Sequence, residues 1–132
     1  MQIHDRNIWD EMTRWKDSIW KENCPFCTDN GAIKIWKWKY LYIIHNKYPY
    51  NWLIGHLLLI PYRHIEHTKE LNDEELLEIR IAEQFLSDYY KEKDYFSLIR
   101  QTNAWKSVKH IHYHYIPWKL YSSDLEKILK NN

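Results

Sequence analysis

From His110 to Ile116 the chain alternates imidazoles with apolar residues: His-Ile-His-Tyr-His-Tyr-Ile. In a strand such a run puts His110, His112 and His114 on one face, and Ile111, Tyr113 and Tyr115 on the other. Three imidazoles in a row are poor core filler, because each buried ring needs a hydrogen-bond partner. They are good chemistry. A neutral imidazole is a nucleophile or a metal ligand, and a protonated one is an acid near neutral pH. An exposed polar strand face and a purely structural metal strand are the plainer alternatives.

The rest of the chain supplies a sheet for that strand. Ile8, Met12, Trp15 and Ile19 recur at helical spacing and predict an amphipathic helix over 6–20. Ile33 to Lys39 alternates with period two, as a half-exposed strand does, and Leu41 to Asn46 reads as a second strand before a loop around Pro49. Leu57 to Pro61 is a continuous apolar run suited to a strand buried on both faces. Asn72 and Glu75 form a capping pair that opens the clearest helix, in which Leu77, Ile81, Phe85 and Tyr89 are expected to face the core. Tyr95 to Gln101 and Lys109 to Ile116 predict two further strands, and Ser123 with Glu126 caps a short C-terminal helix. With no repeat and no linker, the 132 residues are expected to form one α+β domain built on an antiparallel sheet.

Composition narrows the function. Lys plus Arg nearly balances Asp plus Glu, for a net charge of +1, which argues against a dedicated nucleic-acid binder. The chain has only two Gly, so a Gly-rich phosphate loop is unavailable. The longest apolar run, Leu57 to Ile60, is far short of the roughly 20 residues that cross a membrane. Met1 to Asp10 lacks the apolar centre of a secretion signal. A soluble cytoplasmic protein without a membrane partner is expected. Trp36 and Trp38 could stack a base, but aromatic stripes more often bury area against a helix or a second subunit.

Both cysteines lie in Cys24-Pro25-Phe26-Cys27, the spacing that lets two thiolates reach one zinc ion. Redox chemistry uses the same spacing. A redox pair would open a helix after a strand, whereas this one follows a predicted helix and leads to the turn Asp29-Asn30-Gly31. A closed tetrahedral site needs two more ligands, and His64, His67 and His110 are all candidates.

Four segments, in order, resemble the histidine triad (HIT) family. His110-Ile111-His112-Tyr113-His114-Tyr115-Ile116 matches its His-φ-His-φ-His-φ-φ signature, where φ is apolar. Asn46-Lys47-Tyr48-Pro49-Tyr50 through Gly55-His56-Leu57-Leu58-Leu59-Ile60-Pro61-Tyr62-Arg63-His64 resembles its nucleoside-binding loop and the strand after it. Ser107-Val108-Lys109 stands where the family has a phosphate-contacting hydroxyl, and the cysteine pair precedes them all. The likeness runs from about residue 24 to 118, and the Tyr-Pro-Tyr and Pro-Tyr-Arg pieces look most like dinucleoside polyphosphate phosphorylases and hydrolases.

The resemblance implies a HIT-like fold, with a central helix as well as N- and C-terminal ones, and a nucleotide hydrolase or transferase. His112 would attack the α-phosphorus and form a nucleotidyl-histidine. His114 would bind phosphoryl oxygens, His56 would support the triad by hydrogen bonding, and Ser107 would contact phosphate or leaving group. Asn46 would lie near the ribose. A structural zinc would be held by Cys24, Cys27, His64 and His110, and the segment from Asn72 to Lys91 would join two subunits in a homodimer. The chain departs from the family at Asn103-Ala104-Trp105-Lys106-Ser107, where a Gly-rich stretch and a Gln are usual, so Lys106 could bring a phosphate-binding charge. Trp118 replaces a common Arg, and Asn51 to Ile54 makes the nucleoside loop about two residues longer than usual. A non-catalytic, zinc-stabilised nucleotide-binding or scaffold protein is the competing reading, and the altered stretch favours it.

Overall fold

The computed structural model describes residues 24–28, 33–49, 54–102 and 108–121, together with Ser123 and Lys127. The expected N-terminal helix, most of the C-terminal one, Lys106 and Ser107 lie outside them. Among the described residues, five strands form one antiparallel sheet: β1 (Lys34–Lys37), β2 (Leu41–His45), β3 (Leu57–Pro61), β4 (Phe96–Leu98) and β5 (Tyr113–Ile116). Their order is β1-β2-β3-β5-β4, so the strand that ends the histidine run lies inside the sheet beside β3. The long helix α1 (Asp73–Tyr90) runs between β3 and β4 in the chain.

Alternation along β2 and β3 divides the apolar side chains between two layers. Leu41, Ile43, Leu57, Leu59 and Tyr115 pack with Ala82, Leu86 and Tyr90 of α1. On the opposite side Tyr42, Ile44, Leu58 and Ile60 form a second cluster, against which Phe26 packs. Every residue of β3 is buried, as its unbroken apolar run requires. Each such side chain contributes roughly 1.5–3 kcal/mol of burial.

The core face of α1 corrects the sequence reading. Its buried residues are Glu75, Glu78, Ala82, Leu86 and Tyr90, whereas Leu77, Ile81 and Tyr89 are exposed and Phe85 is only partly buried. Two carboxylates can occupy the inner face because each accepts hydrogen bonds there. Glu78 Oε1 accepts the N–H groups of Tyr40 and Leu41, at 2.7 and 2.9 Å, from the turn joining β1 and β2. Glu75 closes the expected capping box with Asn72 and also receives Arg63 Nη2 at 2.7 Å. Burial alone would raise the Glu75 carboxyl, but Arg63 and the Asn72 N–H hold it below the usual carboxylate range.

The last strand is shorter than the alternation suggests, starting at Tyr113 rather than Lys109. Leu59 pairs with Tyr113, so continuing the register would set Pro61 opposite Ile111. Proline has no N–H for a ladder. The chain turns aside instead, and Ile111 N–H donates to the Ile65 carbonyl at 2.7 Å.

Candidate active site and metal centre

The irregular stretch ahead of β5 is where the histidines separate into roles. His110 is fully buried, and its Nε2 lies 2.7 Å from the Pro61 carbonyl. A carbonyl only accepts, so Nε2 carries the proton and Nδ1 presents its lone pair to the opposite side. There Nδ1 is 3.5 Å from Cys24 Sγ and 3.4 Å from Cys27 Sγ, while His64 Nδ1 is 3.1 Å from Cys27 Sγ. All four ligand atoms lie within 4.8 Å of one another. Around a tetrahedral zinc, with bonds of about 2.3 Å to sulfur and 2.0–2.1 Å to nitrogen, neighbouring sulfur and nitrogen ligands sit about 3.5 Å apart. The donor set and its spacing therefore fit zinc. Burial pushes the Cys24 thiol up to about 12, so a cation entering the site must displace that proton.

His67, the other candidate ligand, is turned away. Its Nδ1 meets the Gln101 carbonyl, and its N–H donates to Glu70 Oε2 at 2.9 Å. The cysteines are brought to the sheet by a tight knuckle in which the N–H groups of Cys27 and Thr28 both donate to the Cys24 carbonyl at 3.1 Å. Tyr42 secures it by donating its hydroxyl to the Phe26 carbonyl at 2.8 Å. Burial, with the two cysteines beside it, raises the Tyr42 hydroxyl, which keeps it a donor.

His112 has the opposite polarity. Its Nδ1 donates to the His110 carbonyl at 2.8 Å, which puts the lone pair on Nε2. Its ring lies 4.9 Å from that of His114. His114, opposite Leu58 in the β3–β5 ladder, brings Nδ1 within 2.9 Å of His56 Nε2, so the two rings share a proton. Asn46 stands behind them. Tyr48 N–H donates to its Oδ1 at 3.0 Å, which turns Nδ2 toward His56, 3.3 Å from Nε2. Asn46, the first residue of the segment expected to form the nucleoside loop, thus lies against His56, the partner of His114.

His56, His112, His114 and Asn46 are one cluster, and Cys24, Cys27, His64 and His110 a second, adjoining one. Ser107 and Lys106 lie outside the described residues. Sequence reasoning passed over Phe26, whose ring stands edge-on to His112 and His110 with centroids 5.1 and 5.8 Å away. The signal was an apolar residue between two metal-spaced cysteines. It also passed over Gly55, at φ +91°, whose carbonyl takes the Tyr90 hydroxyl at 2.6 Å and so ties the approach to His56 to the end of α1.

Comparison with known proteins agrees with this geometry. The family model described as HIT domain matches residues 28–119. An AP-4-A phosphorylase of Mycobacterium tuberculosis is 34% identical over 55 residues, which are 42% of this chain and 27% of that protein. The matched stretch thus spans about a quarter of that relative's length. Among solved structures, the Plasmodium falciparum diadenosine triphosphate hydrolase in complex with Cyclomarin A is 25% identical, covering 76% of this chain and 73% of its own, with a TM-score of 0.59. A Zn-bound histidine triad family protein from Mycobacterium smegmatis shares the fold at 24% identity, covering 73% and 75%, with a TM-score of 0.62. With its model matched over most of the chain and a buried histidine triad beside β3, the protein belongs to the HIT family.

Proposed function

We propose that the protein is a nucleotide hydrolase or transferase that acts at the α-phosphate of nucleoside phosphoramidates or dinucleoside polyphosphates. The observation that carries this reading is the His112 Nδ1 contact with the His110 carbonyl, which leaves the lone pair on Nε2. Nε2 attacks the α-phosphorus, and the bond from phosphorus to the leaving nitrogen or oxygen breaks, its electron pair departing with the leaving group. Water or phosphate then attacks the nucleotidyl-histidine and returns His112 to its neutral form. His114, backed by His56, binds the phosphoryl oxygens, and Asn46 lies toward the ribose. Ser107 and Lys106 serve the phosphate and leaving group. The relatives named for AP-4-A and diadenosine triphosphate support dinucleoside polyphosphates as a substrate class.

Cys24, Cys27, His64 and His110 hold a structural zinc that, with four protein ligands, has no open position for substrate. A cytoplasmic setting suits two cysteines kept reduced. The exposed stripe of Leu77, Ile81 and Tyr89 joins two copies as a homodimer, which covers apolar side chains that α1 otherwise leaves to solvent. Ile81→Glu is expected to convert the dimer to a monomer in size-exclusion chromatography. Elution of the wild type as a monomer at micromolar concentration would remove the dimer from this reading.

The deciding assay measures nucleoside monophosphate release from a panel of phosphoramidates and dinucleoside polyphosphates, with wild type and His112→Ala, with and without added phosphate. Turnover that vanishes in the variant is expected. A folded, zinc-loaded wild type that binds nucleotide and turns nothing over would leave the binding-protein alternative standing instead.

A further inference from the structure

Phe26 belongs to both clusters at once. Its backbone is the middle of the cysteine knuckle, flanked by Cys24 and Cys27, and its carbonyl is secured by the Tyr42 hydroxyl. Its side chain packs against the cluster of Tyr42, Ile44, Leu58 and Ile60 and makes an aromatic contact with His112, with centroids 5.1 Å apart and planes at 70°. That arrangement is a favourable edge contact between rings. His110 is a second bridge. Its Nδ1 faces the two sulfurs, while its carbonyl is the acceptor that orients His112. Four donors drawn around one cation would therefore hold two things beside His112: the acceptor of its Nδ1 proton and the ring packed against it.

We infer that Phe26 is a positioning residue, and that through it and the His110 carbonyl the loading of the metal centre sets the orientation of His112. The inference rests on His112 being the nucleophile, but the coupling itself is measurable without turnover. A ring that merely fills the core would cost stability when shortened and leave His112 unmoved. A ring that touches only the substrate would raise KM and leave kcat alone.

The test uses the full chain with ¹⁵N-labelled histidine, in three states: zinc-loaded wild type, zinc-loaded Phe26→Leu, and wild type stripped of zinc by a chelator and then titrated with zinc alone. Zinc content is measured on each, with kcat and KM on the best phosphoramidate. The third readout is the solvent exchange of the His112 Nδ1–H, assigned by its absence in His112→Ala. Phe26→Leu is expected to keep its zinc but exchange that proton about tenfold faster and lose about tenfold in kcat, with KM within about twofold, since small misplacements of a reacting group are costly. Stripping zinc should accelerate the same exchange, and adding it back should restore it. Unchanged exchange and kcat in zinc-loaded Phe26→Leu, or a rise in KM alone, would overturn the inference. If the variant takes up no zinc, titration of the wild type decides: exchange indifferent to zinc overturns the coupling. A wild type without turnover on any substrate would end the functional reading, while the exchange measurement would still answer for the coupling.

Discussion

The two ends of the histidine run carry the same side chain and hold it in opposite orientations. At the His110 end the backbone has left the ladder, the neighbours are thiols, and Nε2 is tied to a carbonyl so that Nδ1 faces the sulfurs. At the His112 and His114 end the chain enters β5, the neighbours are an imidazole and an amide, and in His112 it is Nδ1 that is tied. Residue type alone does not choose between the two proposed roles, ligand and nucleophile. The position of one accepting carbonyl does, because it decides which nitrogen keeps the proton.

That contrast can be broken by experiment. His112→Ala should reduce turnover by a factor on the order of 10⁴ or more, as loss of a covalent nucleophile does, with zinc content and melting temperature close to wild type. Cys24→Ser should do the converse first: less than one zinc per chain and a melting temperature lower by about 10 °C or more, since structural zinc contributes directly to folding. A Cys24→Ser protein that melts like wild type would mean that the His110 end has no metal role. A smaller effect is expected of His56→Phe. It removes the partner of His114 and should lower kcat about 10–100-fold without touching zinc content.

The mildest change concerns the approach to His64. Glu75 holds Arg63, the residue before that proposed ligand, and its carboxyl is more acidic in the fold than in the unfolded chain. The resulting stability is full above the ordinary glutamate range and is lost as pH falls through the lower folded value. Glu75→Gln should lower the melting temperature by a few degrees at neutral pH and flatten its dependence on acid. An unaltered acid dependence would show that the pair does not couple to folding.

Much of the site was legible because its residues act by type and spacing. Two cysteines three positions apart and a run of alternating histidines can be recognised without coordinates, and so can the Asn72–Glu75 cap and the doubly buried Leu57 to Pro61. The inward face of α1 was not. Apolar periodicity pointed to Leu77, Ile81, Phe85 and Tyr89, but Glu75 and Glu78 lie inside because backbone N–H groups and Arg63 satisfy them. Such partners come from distant parts of the chain, and hydrophobic patterning carries no record of them. The start of β5 escaped for a similar reason. Alternation gives a strand's faces, but the residue that ends its ladder is Pro61, on the neighbouring strand.

Both accepting groups that divide the histidines, the carbonyls of Pro61 and His110, belong to the main chain. Every amino acid carries that oxygen, so no substitution at either position deletes the acceptor. The proposed division of labour between ligand and nucleophile is thereby insulated from mutation in a way that a side-chain acceptor could never be. A lineage carrying this fold can rewrite the surrounding side chains and still inherit both carbonyl acceptors intact.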